Sequence, residues 1–93
     1  MISQRVLKHY QQAHDAHLDK VAQARRWDSI HTAALRAGFV GPWQAEGVAF
    51  ATWMDACNAA GYQILAEIEQ GVRPPISIGE YIALLPPAPV FNG

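Results

Sequence analysis

With 93 residues, 51% of them hydrophobic and 16% charged, the chain has material for one small core that buries about 60–65% of its unfolded surface, and too few charges to read as a disordered segment. A formal net charge of −1 supplies no overall field to hold nucleic acid or an anionic membrane surface. The single cysteine, Cys57, excludes an internal disulfide and a cysteine-only zinc site and suits a reducing compartment.

Ser3 is placed to cap a first helix over Gln4 to Arg26, since no Gly or Pro interrupts the chain there. Val6, Leu7, Tyr10, Ala13, Leu18, Val21 and Ala24 gather on one side of that helix, opposite Arg5, Lys8, Gln12, Asp15, Asp19 and Gln23. The opening is polar by its third residue, so no signal peptide is expected. Asp28 or Ser29 can cap a short second helix with Ile30, Ala33, Ala34 and Ala37 inward, ended by Gly38 in a left-handed conformation. After "GFVGP", Pro42 suits the first turn of a third helix, about Trp43 to Gln70. Along it Phe50, Trp53, Met54, Cys57, Ala60, Gly61, Ile64, Leu65 and Ile68 recur at three- and four-residue steps, and Gly71 ends it. Gly61, with Ala59 and Ala60, leaves a shallow place where another helix can approach.

Pro74-Pro75 forces an extended link, and Ser77-Ile78-Gly79-Glu80 has the spacing of a capping box for a fourth helix, Ser77 to Leu85, stopped by Pro86. Strand signals are absent. The expected fold is all-α: a small antiparallel bundle of two long helices and two short ones, with residues 1–85 as one domain and 86–93 as a proline-rich apolar tail. The longest apolar run is short and broken by Pro86, Pro87 and Pro89, so no transmembrane segment is expected.

His14 and His17 lie three apart on the apolar side of the first helix, a spacing that can chelate a metal, with His9, His31, Asp15 or Cys57 as the available further ligands. The preferred reading is two imidazoles bordering the core and hydrogen-bonded there; a pH-sensitive interface is a third. Cys57 sits mid-stripe, a small hydrophobe whose thiol burial would render inert. Asp55, Glu67 and Glu69 read as a solvated face, and Glu46 as a first-turn acid favoured by the helix dipole. "ARRW", Ala24 to Trp27, places Arg25 and Arg26 beside an aromatic, but two arginines make no basic stripe, and both fall where a helix C-terminus favours cations. No phosphate loop, nucleophile elbow or metalloprotease motif is present. No catalytic residue, metal ligand or cofactor is assigned. Phe39, Trp43, Leu84, Leu85, Val90 and Phe91 are apolar residues without an obvious internal place, and they are the candidate partner-binding set.

From Ala24 to Pro87, the chain resembles a helical module of tailed bacteriophages and prophages, found there as a small tail-region protein or near the C-terminus of tail and fibre-associated proteins. The features that carry the resemblance are Arg26-Trp27-Asp28-Ser29-Ile30, then "QAEGVAF" leading to Trp53, Cys57 and Tyr62, then "LAEIEQGVRP" (Leu65 to Pro74), and a short terminal helix closing on Leu85-Pro86. The proline-rich ending, Pro86 to Gly93, departs from the pattern. The resemblance implies a non-enzymatic structural or assembly role in a phage tail, in the virion or in the host cytoplasm during assembly, with other tail proteins as partners; the surplus apolar residues add further copies of the chain, and the near-neutral charge and broken apolar run leave neither nucleic acid nor membrane as an expected partner. The resemblance implies no active-site residues. The alternative expectation is a small regulatory protein that binds DNA through Arg25, Arg26 and Trp27, or a metal through His14 and His17.

Overall fold

The computed structural model describes residues 3–91; residues 1–2 and 92–93, the outer ends of the expected domain and tail, lie outside the described residues. Four α-helices occur in order, α1 (Gln4–Gln23), α2 (Ile30–Leu35), α3 (Gln44–Glu69) and α4 (Ile78–Leu84), and a 3-10 turn, Arg36–Gly38, extends α2. No strand occurs among the described residues. The long helices are antiparallel, because contacts pair rising positions on α1 and the turn after it with falling ones on α3: His14 with Asn58, His17 with Trp53, and, beyond the end of α1, Arg25 with Glu46. The molecule measures 46 × 21 × 18 Å, its length set by α3, whose 26 residues span about 39 Å at the helical rise.

α1 begins where the Ser3 hydroxyl accepts the Val6 N–H. It buries Tyr10, His14, Leu18 and Ala22, a row at four-residue steps. This row is narrower than the expected stripe. Val6 and Ala24 are exposed, while Asp19, expected on the wet side, is half-buried because its carboxylate accepts the Ile30 N–H at 3.0 Å. The regular helix also stops at Gln23, short of the expected Arg26. Trp27 N–H bonds to Ala22 and Arg26 N–H to Gln23 at 3.2 and 2.9 Å, the paired bonds of a Schellman ending. Arg26 takes the left-handed position, at φ 73°, that glycine normally fills.

Ser29 caps α2 by accepting the Thr32 N–H, and Ile30 and Ala33 face the core. Gly38 does not end this segment in a left-handed conformation as expected; among the described glycines only Gly71 has positive φ. The α2 segment tightens into the 3-10 turn instead, and Phe39 leaves it extended. Pro42 precedes α3 rather than opening it. It lies inside a turn closed by Gln44 N–H on the Gly41 carbonyl, a position its fixed φ suits.

α3 buries Gly47, Phe50, Trp53, Cys57, Gly61, Ile64 and Ile68, and the apolar ridge is covered by the other helices of the same chain. A Cβ on Gly47 would stand 2.4 Å from the Ala37 nitrogen, so α3 and the 3-10 turn touch backbone to backbone there. Gly71, at φ 77°, ends α3 in a second Schellman pair, Val72 N–H to Glu67 and Gly71 N–H to Ile68. α4 starts on the expected capping box, Ser77 with Glu80. Beyond it the tail lies back on α3: Trp53 Nε1–H donates to the Pro86 carbonyl at 3.0 Å, and the Phe91 ring packs 5.3 Å from that of Phe50.

Candidate functional site

The expected partner-binding residues separate into two groups. Leu85 is only 6% exposed and Phe91 is half-buried against Phe50 and Arg25, so both are used inside the chain. Leu84 and Val90 face solvent. Phe39 and Trp43 also remain outside, on one end of the molecule where the α2–α3 connection meets the end of α1. Val40, next to Phe39 in the chain, is 95% exposed, and Leu35 at the end of α2 is exposed as well.

That end is braced from within. The left-handed turn at Arg26 brings Trp27 round to face the first turn of α3, where its indole N–H donates to Glu46 Oε2 at 2.6 Å. Arg25 donates to the other oxygen, Oε1, at 2.7 Å, and its guanidinium lies 4.1 Å from the centre of the Phe91 ring. The Arg25 bond, with that from Trp27, holds the Glu46 carboxyl below the usual carboxylate range, although partial burial pushes the other way. Glu46 is therefore a link between α1 and α3 as well as the first-turn acid that was expected. Arg25, expected to serve the end of α1, is committed to that link.

Between these groups lies an open concavity of about 670 Å³, lined by Arg25, Arg26, Arg36, Trp27, Trp43 and Glu46. Trp27 and Trp43 meet edge to face at 6.4 Å. Arg36 lies over Trp27 and Phe39, 5.8 Å from each ring centre. Gly47 sets this geometry, because its missing side chain lets α3 press against the backbone of Arg36 and Ala37. The pattern "ARRW" hinted at the arginines and Trp27. Glu46 was read only as a first-turn acid, and Arg36 and Gly47 were not singled out, because the contacts that give them their roles, Glu46 with Arg25 and Trp27, Arg36 with Trp27, and Gly47 with Ala37, cross between separate segments.

The His14 and His17 pair is resolved into two different environments. His14, 6% exposed, has Nε2 2.8 Å from Asn58 Oδ1 and Nδ1 2.8 Å from the Tyr81 hydroxyl. Since Asn58 Oδ1 only accepts, Nε2 carries the hydrogen, and in the neutral ring Nδ1 accepts from Tyr81. Both ring nitrogens are thus occupied in a junction that ties α1, α3 and α4. Gly61 makes the room: a Cβ there would fall 2.3 Å from the Tyr81 oxygen. The expected shallow place thus receives a hydroxyl and an imidazole rather than a helix backbone. His17 instead packs edge-on to Trp53 at 5.8 Å. Among the described residues, no three His, Cys, Asp or Glu side chains converge as metal ligands. Cys57 is buried without solvent contact, and burial pushes its thiol up to about 11 and the Tyr81 hydroxyl up to about 12.

Comparison of the chain with family models, with curated proteins and with solved structures returns no match. Among the described residues, no helix is long and apolar enough to cross a membrane.

Proposed function

We propose that the chain is a non-enzymatic structural or assembly protein of a bacteriophage tail, working through protein contacts made by the end that carries Phe39 and Trp43. The observation that carries the contact role is the exposure of Phe39, Val40 and Trp43 along one connection, on a surface braced by Glu46 and Gly47. Large apolar side chains clustered at the surface mark association sites, and the internal bonds keep this one in shape before a partner arrives. The phage-tail setting comes from the resemblance over Ala24 to Pro87. Tail proteins and further copies of the chain are the partners in this reading, in the virion or during its assembly.

Mass spectrometry of purified particles, together with light scattering of the isolated chain after size exclusion, tests the proposal. The chain is expected in the particle, or in a defined complex with a tail protein before assembly is complete. A strictly monomeric chain that accompanies no tail protein at any stage overturns it.

A further inference from the structure

We infer that the concavity between Trp27, Trp43 and Arg36 receives an acidic segment of a partner protein, one that carries carboxylates beside a bulky apolar anchor. This rests on the contact role proposed above and specifies the chemistry of the partner. Charge favours such a segment. Three arginines and a single carboxylate line the concavity, and that carboxylate, Glu46, already accepts from Arg25 and Trp27. Arg26 and Arg36 are exposed, and among the described residues neither has a carboxylate partner. On a chain of net charge −1, this end is a local positive exception.

Arg36 is already held where such a contact needs it. A guanidinium resting on aromatic rings keeps its in-plane N–H donors for a carboxylate, which it can grip with two parallel bonds. Packing against Trp27 and Phe39 already restricts the freedom that Arg36 would otherwise lose on binding. Beside it, Trp43 is 56% exposed and flanked by Phe39 and Val40, a surface for an apolar side chain rather than for a second charge. Nucleic acid fits less well. A phosphate backbone needs cations along its length, whereas here Arg26 and Arg36 stand at a single spot and Arg36 already occupies the neighbourhood of Trp27 on which a base would stack.

Fluorescence anisotropy of labelled probes with the full chain tests this. The probes are short peptides with Asp and Glu around a leucine or tryptophan, the same peptides with serine in place of the anchor, the same with Lys in place of the acids, and oligothymidine. The anchored acidic peptides are expected to bind about tenfold or more tighter than each control, the step expected for losing one charge-assisted contact or one buried apolar side chain. The double variant Arg26→Glu/Arg36→Glu, both at exposed positions and checked for native circular dichroism, is expected to reverse the order of acidic and lysine peptides. Absence of a preference for the acidic anchored peptides, an unchanged order in the double variant, or tighter binding of oligothymidine overturns the inference. If the acidic peptides fail while Trp43→Ser still releases the chain from tail-protein complexes, the partner chemistry alone is wrong. If Trp43→Ser leaves those complexes intact, the contact role itself falls.

Discussion

Arg26 occupies a left-handed backbone position, at φ 73°, where a side chain costs about 1–2 kcal/mol. Glycine removes that cost while adding some unfolded-state entropy, so Arg26→Gly is expected to stabilise the chain by about 0.5–1 kcal/mol in urea denaturation. A loss of stability would mean that the arginine side chain contributes more than its backbone costs. Gly61 is the opposite case, a glycine in mid-helix whose replacement by alanine would ordinarily favour the helix. Its Cβ would collide with the Tyr81 hydroxyl, so Gly61→Ala is expected to cost about 1–3 kcal/mol. In a Tyr81→Phe background that cost should shrink, and equal costs in the two backgrounds would assign the penalty elsewhere. What the sequence showed of such residues was their type and helical face. The spacing of His14 placed it beside the core, but its two partners lie 44 and 67 residues away, beyond any local pattern. Glu46 was legible as a first-turn acid for the same reason that its bonds to Arg25 and Trp27 were not.

At the scale of elements, local signals that close within a few residues were the legible ones. The Ser77–Glu80 box and the Gly71 ending are both where their spacing placed them, since each is satisfied by its own backbone neighbours. The end of α1 was misplaced because an arginine took a glycine's position. The 3-10 turn after α2 follows from contact with Gly47, which no window along α2 contains. The tail shows the same division. Its prolines announced an extended segment, but its seat on α3 depends on Phe50 and Trp53. Phe91→Ala removes the ring that meets Phe50 and Arg25, and for a half-buried ring it is expected to cost about 1–2 kcal/mol. Exchange of the Trp53 indole N–H, which donates to the Pro86 carbonyl, should then be faster than in the unaltered chain, and unchanged exchange would show that the tail is held by other contacts.

For the molecule as a whole, titration should report two stages of acid destabilisation. Burial, then the nearby charges of His14 and Lys20, lowers the His17 pKa. The unfolded chain therefore takes up the proton more readily, and stability declines as pH falls through the ordinary imidazole value of about 6.5. Glu46, Glu67 and Glu80 are held below the usual carboxylate range by hydrogen bonds, chiefly from Arg25, Gln63 and the Ser77 backbone respectively. Their contribution is complete above that range and is lost as pH falls below about 4.5 through their lowered values. Urea midpoints across this interval are expected to show both declines, and His17→Gln to remove the first. A first decline that persists unchanged in that variant would assign it to another group. The proposed end-on contact through Trp43 and its neighbours can be read by placing a photo-crosslinking residue at position 43, or at the exposed Asp55 position on α3, in cells producing phage particles. Crosslinks to a tail protein or to a second copy of the chain from position 43 but not from position 55 are expected; equal yields from both positions, or none from position 43, would contradict the account.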